Sequence, residues 1–483
     1  MLHRLFGVQP LDRVRAEEEG KPKLRRVLGV WGLIGIGLGT MLGGIFPTAG
    51  VGAQAAGSGV ITGFILSGVA CVFVALCYAE FASMVPVAGS AYTYAYATLG
   101  ELIAWIIGWD LILEYGISAA PVAASFSGYF QELLSYFHIT LPEWAQSGQI
   151  DWSNLGASHI DIIAALTVIA VSGLLALGIK ESAGTNATFV IIQVVTFVLF
   201  AVACIGYFHP SHFTGFAPNG IHSVVQSAAL VFFAYIGFDT VTVASEEAKN
   251  PQHDVPRAVV GSLAIGAVIF IALEALTIGV VPLKSIDGEA ALIQAVRLAG
   301  DNPFFVVAVT IGALAGNISV MITSLLGQAR IFYVMSRDRL LPPSVAEIHP
   351  RFHTPARTTM ITGIAVALFA LLFPLDQLLF MVNVGTLWAF AIVSIGVVVL
   401  RFIAPTAKRP FKAPAGVLVG LLGFGLCIYM MTGLGIPTWV RYIVWFVVGI
   451  AIYAWYGYRN SMLRKSPKTE TYLEELSADA PVQ

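Results

Sequence analysis

The chain has 483 residues, is 57% hydrophobic and carries charge on only 11% of its residues, with a net charge of −2. Soluble domains carry about 25% charged residues, so a soluble globular protein is excluded, and the balanced charge leaves no footprint for nucleic acid. A mean hydropathy of +0.81 comes from long apolar runs, which fit membrane helices of about 20 residues rather than the alternating pattern of a membrane barrel.

Residues 1–27 are polar for too long to be a cleaved signal peptide; they read as a cytoplasmic tail, with the first span acting as its own insertion signal. Twelve spans are then expected, near 28–52, 58–84, 97–130, 160–179, 186–208, 223–245, 258–282, 304–333, 358–374, 377–402, 414–434 and 438–457. Residues 459–483 form a second cytoplasmic tail. Pro-, Gly- and Asn-rich loops such as HPSHFTGFAPNG punctuate the spans. With the N-terminus cytoplasmic, 23 of the 26 Lys and Arg residues fall on the cytoplasmic side; only Lys284, Arg297 and Arg441 do not. The reverse orientation inverts that ratio, so both termini are expected in the cytoplasm of a multi-pass cell-membrane protein.

Two spans are irregular. Span 1 contains GIGLGTMLGGIF (35–46), with five glycines in ten positions. Gly35, Gly39 and Gly43 also fit a small-xxx-small packing face, so this stretch alone favours close helix packing. Span 6 contains FFAYIGFDT (232–240), where Gly237 and Asp239 interrupt an apolar segment. A buried Asp costs roughly 2.5–3.5 kcal/mol on insertion scales. Glycine-interrupted segments at matching positions of two halves point to a transporter site. Opening such helices beside a polar cavity frees amides suited to a carboxylate and carbonyls suited to an ammonium. A small zwitterion such as an amino acid carries both groups.

Other chemistries lack their residues. Cys71, Cys77, Cys204 and Cys427 sit in apolar runs without CxxC spacing and read as small buried hydrophobes. All nine histidines fall in tails, loops or span ends. Neither a metal site, a cofactor nor an enzyme is expected.

The stretches LCYAEFASMVPVAGSAYTYAYATLGELIAWIIGWDLILEY (76–115), FFAYIGFDTVTVASEEAKNPQHDVPRAV (232–259), LLGQARIFYVMSRDRLLPP (325–343), VNVGTLWAFAIVSIGVVVLR (382–401) and RPFKAPAGVL (409–418) resemble the amino acid–polyamine–organocation (APC) superfamily. Within it they are most similar to the cationic amino acid transporter family, bacterial members included. The resemblance covers about residues 25–458. It implies an all-α integral membrane protein of 12 transmembrane helices, with a 5+5 inverted-repeat (LeuT-like) fold and discontinuous helices 1 and 6. The transmembrane domain is expected over 28–458, its repeats over 28–209 and 222–403, with helices 11 and 12 appended over 413–458.

The resemblance also implies alternating access for L-amino acids. The substrate carboxylate would bind at Thr40, Met41, Leu42, Gly43 and Gly44. The ammonium would meet the carbonyls of Phe233, Ala234 and Ile236. Phe233 would act as an aromatic gate, though packing is its plainer reading. Glu114, in GWDLILEY, either faces the cavity or pairs structurally.

Three departures bear on coupling. The span-1 glycine pattern is one residue shorter than the family's. Proton-coupled relatives carry a lysine twelve positions after the Glu of E-S-A, where this chain has Gln193, which does not titrate near neutral pH. Glu274 lies inside span 7, where relatives carry a small residue. Glu274 and Glu114 are therefore candidate proton carriers. Asn317, Ser319, Thr323 and Ser324 offer oxygens to a sodium ion, and exchange or non-transporting sensing stay open. Asp239 reads as a support for the second half of span 6. Asp110 and Glu80 are left unassigned, and Glu246 and Glu247 read equally as a gate or a solvated face.

Overall fold

The computed structural model describes residues 28–84, 92, 95–96, 100–150, 158–178, 183–213, 215–243, 247–352, 354–403, 405 and 409–462. The arms at 1–27 and 463–483, Glu246, and the Glu181–Ser182 pair lie outside the described residues. The regular structure among the described residues is helical apart from two isolated bridges, Leu28 with Ala248 and Gln149 with His159.

Helix α1 (Val30–Met41) passes through a 3-10 turn, Leu42–Gly44, into α2 (Ile45–Ala56). A second turn, Gly57–Gly59, leads to α3 (Val60–Met84). Then come α4 (Glu101–Tyr136), α5 (Ile162–Ala176) and α6 (Ala183–Cys204). The next apolar segment is α7 (Ile221–Val231), a 3-10 stretch Phe232–Tyr235, a break, and α8 (Thr240–Val243). The remainder is α9 (Pro251–Val280), α10 (Ala291–Leu298), α11 (Pro303–Arg337), α12 (Ala356–Leu372), α13 (Leu375–Ile403), α14 (Gly416–Met431) and α15 (Gly435–Ile452).

Eight stretches among the described residues are long and apolar enough to cross a membrane. Two of these, Val30–Met84 and Gly416–Asn460, are each interrupted by a 3-10 turn; Ile162–Ala176 and Ala356–Leu372 are apolar but shorter.

Local chemistry sets the helix ends. Asp161 caps α5 by accepting from the Ala164 N–H at 2.9 Å. Asn302 caps α11 by accepting from Phe304 N–H at 3.0 Å, with Pro303 in the first turn. Gly100 and Gly220, at φ of +97° and +90°, open α4 and α7 from a conformation other residues resist. Small residues then bring helices together: a Cβ on Gly363 of α12 would fall 2.5 Å from the Ser172 Cβ of α5.

The main packing partners are α4 with α11, α13 with α14, α3 with α9, and α5 with α12. Helix α13 lies along α4 and α6 along α11; α1 lies along α9 and α7 along α3. At one end, Glu80 of α3 is buried, with Arg401 at 2.5 Å, Arg409 at 3.3 Å and the Ala413 N–H at 2.9 Å. Asp110 of α4 accepts from the Tyr442 hydroxyl of α15 at 3.2 Å through both oxygens. The two acids left unassigned from sequence thus tie α13 and α15 to the bundle.

Candidate functional site

The two irregular segments differ in kind. Beyond Phe232–Tyr235 the chain leaves helical geometry altogether: Ile236 is extended at ψ 132°, and Gly237 has φ +120°. Only glycine takes that φ readily, and the space is closed too, since a Cβ on Gly237 would meet Thr40 Oγ1 at 2.6 Å. In the first segment the backbone stays right-handed and only tightens to a 3-10 turn, with Leu42 at φ −59° and ψ −32°. The opened backbone expected over 37–44 is therefore a change of helix type. The Leu42 N–H stays bonded to Leu38 O, so the helix tightens here without opening.

Side chains from neighbouring helices reach the carbonyls of the last turns of α7. Ser67 of α3 donates to Ala228 O at 2.7 Å. Asn383 of α13 donates to Ala229 O at 2.7 Å and Leu230 O at 3.0 Å. The Tyr235 hydroxyl reaches across to Phe64 O at 2.8 Å. These side chains meet the demand that buried backbone be paired and hold the end of α7 in place.

The segments meet backbone to backbone. A Cβ on Gly44 would lie 2.7 Å from Ala234 Cα, 3.2 Å from Ala234 O and 3.3 Å from Phe233 O. One turn earlier, Thr40 Oγ1 lies 3.0 Å from Gly237 O, 2.9 Å from Gly37 O and 3.1 Å from Thr240 Oγ1. The Thr240 hydroxyl donates to Gly237 O at 2.6 Å.

Beside this crossing is a cavity of about 40 Å³, lined by α1–α2, α4, the break and α11. A water needs roughly 10–15 Å³, so it has room for a few. Of the residues singled out from sequence, Thr40, Gly44, Glu114, Phe233 and Ile236 line it. Asp239, Thr323 and Ser324, considered for other roles, line it too. Tyr115, Ser118, Thr240 and Val320 were missed. Ser118 follows Glu114 by one helical turn, so the 3.6 period was the signal that pointed to it.

Other singled-out residues face elsewhere. Met41 packs on Gly266 of α9, and Gly43 faces Val320 and Gly316 of α11 together with Gln193 of α6. Leu42 and Ala234 are buried but absent from the wall. Gln193 is fully buried with neither amide atom partnered, and its Nε2 is 3.4 Å from the Cβ positions of both Gly43 and Gly316. Ser319 is buried without a partner beside the wall residue Val320. Glu274 is fully buried, with neither oxygen partnered.

The wall's ionisable side chains are acidic: Glu114 and Asp239, with no Lys or Arg. Asp239 accepts from the Tyr115 hydroxyl at 3.4 Å and leaves its other oxygen unpartnered. Glu114 and Asp239 are electrostatic neighbours. Phe233, Ile236 and Val320 supply apolar surface. Such a wall offers acceptors to a cationic group and hydrophobic cover to the rest of a small molecule.

A polytopic helical bundle with a helix broken beside an acceptor-lined cavity has the build of a membrane permease. The family model described as amino acid permease matches residues 28–460, and the chain belongs to that family, within the APC superfamily. The chain is 40% identical over 468 residues to the branched-chain amino acid permease BcaP of Bacillus subtilis, covering 95% of this chain and 99% of the relative. It is 38% identical over 463 residues to the methylthioribose transporter of the same organism, with the same coverage. It is 37% identical over 402 residues to the vacuolar cationic amino acid transporter 4 of Arabidopsis thaliana, covering 80% and 65%.

Proposed function

We propose that the protein carries L-amino acids with neutral side chains across the cell membrane by alternating access, in symport with protons. The observation that carries this reading is the contact of Gly44 with Ala234 beside a cavity walled by two carboxyls and apolar side chains. The ammonium would sit against the carbonyls at the break and Asp239. The carboxylate would engage the amides of Gly43 and Gly44 once the 3-10 turn loosens, and the side chain would lie against Phe233, Ile236 and Val320. Phe233 would close the outer side.

Dividing the two longest apolar stretches at Gly57–Gly59 and Thr432–Leu434, and adding the two shorter helices, gives twelve spans. The packing pattern supports two inverted five-span repeats. Exchanging the repeats maps α3–α9, α4–α11 and α5–α12 onto themselves, α4–α13 onto α11–α6, and α1–α9 onto α7–α3. The Lys and Arg distribution supports cytoplasmic termini.

Gln193 lies against Gly43, where the resemblance implies a lysine in proton-coupled relatives. Protons would then move through carboxyls, for which Glu274 and Glu114 are the candidates. Sodium coupling through Ser319 and its neighbours, amino acid exchange, and sensing without transport are the competing outcomes.

The test is purified protein in liposomes, with a panel of all twenty amino acids and methylthioribose in binding competition at two pH values. Saturable binding of neutral amino acids, and their accumulation under an inward proton gradient, are expected. Binding without accumulation identifies a sensor. Accumulation that follows sodium, or only opposing substrate, identifies the other couplings. A folded protein that binds no amino acid at either pH overturns the substrate assignment.

A further inference from the structure

The start of α4 and the ends of α11 and α15 meet in one polar cluster. Glu101, the first residue of α4, is buried and accepts from three hydroxyls. Tyr453 donates to its Oε1 at 2.9 Å, while Tyr96, at 3.5 Å, and Ser461 donate to its Oε2. Asp338 caps the end of α11, accepts from the Tyr92 hydroxyl at 2.8 Å and faces Arg337 Nε at 3.5 Å. Its backbone carbonyl accepts from the Met462 N–H at 3.2 Å.

The course of the chain past α15 serves these contacts. The helix widens to π geometry over Tyr453–Gly457, a form found mostly at functional sites. The Tyr453 ring lies 5.5 Å from that of Trp105 of α4. A Cβ on Gly457 would fall 3.4 Å from Leu340 O, so this turn lies against the segment that follows α11. After the turn Tyr458–Asn460 the backbone becomes extended, with Ser461 at φ −45° and ψ 135°. Ser461 is nevertheless fully buried. A helix that simply ended in solvent would place neither its next hydroxyl on a carboxyl nor the following N–H on another helix's carbonyl.

Tyr92 and Tyr96 make the cluster more than an anchor for α15. Both lie on the connection from α3 to α4. Helix α3 packs with α9 and α7, in the group that carries the break, whereas α4 packs with α11. One and two turns further along α4, Trp105 Nε1 donates to Gly449 O at 3.0 Å and Trp109 Nε1 to Trp445 O at 2.9 Å, which fastens α15 to α4. Tyr92 is wedged between α4 and α11: a Cβ on Gly108 would meet Tyr92 Cδ2 at 2.9 Å and Met335 Sδ at 2.8 Å. Ser461 and Met462 thus bond to Glu101 and Asp338, the two residues that also hold Tyr96 and Tyr92.

We propose, on the alternating-access reading and the orientation given above, that Ser461–Met462 is a strap that holds the cytoplasmic side shut. Docked, it supplies a hydroxyl to Glu101 and covers it. A buried carboxyl becomes costly once a donor is withdrawn. Undocking removes that donor and admits water to the start of α4. Tyr96 and Tyr92 then loosen, and the connection from α3 to α4 can leave α11. The strap therefore biases a two-state equilibrium towards the conformation closed on the cytoplasmic side. Glu101 lies 13 residues before the wall residue Glu114, roughly 20 Å along a helix rising 1.5 Å per residue. The strap thus acts on the opening and not on the cavity wall.

The test is the labelling rate of Ser324→Cys by a membrane-impermeant maleimide in inside-out vesicles, which present the cytoplasmic face. Ser324 lines the cavity, and the parent protein, whose four cysteines are buried, gives the background. In this setting, truncation after Asn460 and Ser461→Ala should each speed labelling at least about threefold, the scale of one lost hydrogen bond. Met462→Pro should do the same, because it deletes the N–H and Ser461 already has the extended backbone that a following proline needs. Truncation after Lys465 keeps the strap and should label at the wild-type rate. A cooperative thermal transition confirms that each variant is folded, and Ser461→Ala decides alone if the shorter truncation is not. An unchanged or slower rate in the folded strap variants overturns the strap. Equal acceleration by truncation after Lys465 assigns the effect to residues beyond it and overturns the strap too. If the unmodified protein carries no L-leucine into liposomes, the transport reading fails, while labelling still decides whether the strap closes this face.

Discussion

Gly44 and Ala234 touch through their backbones, with 2.7 Å between the position of a Gly44 Cβ and Ala234 Cα. Backbone does not yield as a flexible side-chain end does, so any side chain at 44 forces the first-span turn away from the break in the second. Gly44→Ala should lower thermal stability by about 1–3 kcal/mol and abolish measurable uptake in liposomes. Gly35 has nothing within 4 Å of its Cβ position, so Gly35→Ala should leave both properties near wild type. Full uptake by Gly44→Ala would remove the crossing from the mechanism.

Thr40 binds the same two segments through one hydroxyl, which lies near Gly237 O and Thr240 Oγ1. Thr40→Val keeps the shape and removes the hydrogen bonds. A lost hydrogen bond of this kind costs roughly 0.5–1.5 kcal/mol. An affinity loss of about tenfold is expected in binding assays, with Thr40→Ser recovering most of it. Wild-type affinity in the valine variant would show that this hydroxyl only packs.

Much of this arrangement was legible in the sequence, and the reason is physical. Gly237 and Asp239 are expensive inside an apolar helix, so their presence announced a break that the backbone indeed makes at Ile236–Gly237. The glycines of the first span were ambiguous because glycine serves both an opened backbone and a tight crossing; here it serves the crossing, and the chain only tightens to a 3-10 turn. Helical phase was the other limit. Met41 and Gly43 belong to a motif that reads as a unit along the chain, yet successive residues turn by about 100°. Met41 therefore faces α9 and Gly43 faces α11, while Thr40 and Gly44, four apart, share the cavity. The hydrogen bond from Ser127 to Asp161 joins segments distant in sequence and left no local signal.

Asp161 makes stability depend on pH. Its folded-state carboxyl is raised to about 7 by burial, against hydrogen bonds that oppose the shift. The fold thus favours the protonated form: the contribution is complete below the ordinary carboxyl range and is lost as pH rises through about 7. Asn keeps an oxygen for Ser127 and Ala164 and cannot ionise. Asp161→Asn should raise thermal stability at pH 8, by on the order of 2–4 kcal/mol, and change it little at pH 4. Thermal unfolding in detergent across that range checks the sign. A gain of equal size at both ends would show that ionisation is not the cause.

Glu114 is the wall residue expected to set which side chains the cavity admits. It shares the wall with Asp239 and no cation, and its oxygens are buried without a short hydrogen bond, with Thr386 in reach. An ammonium or guanidinium on a substrate side chain has few other partners here, whereas a branched aliphatic chain can use Phe233, Ile236 and Val320. Hydrogen bonds to charged groups contribute about 1.5–3 kcal/mol, which corresponds to roughly tenfold or more in affinity. Glu114→Gln should therefore weaken competition by L-arginine and L-lysine at least about tenfold, and shift L-leucine and L-isoleucine by less than about threefold. An equal loss for both classes would place Glu114 on the ammonium that all amino acids share. No loss for either would mean that its carboxyl turns away from the bound molecule.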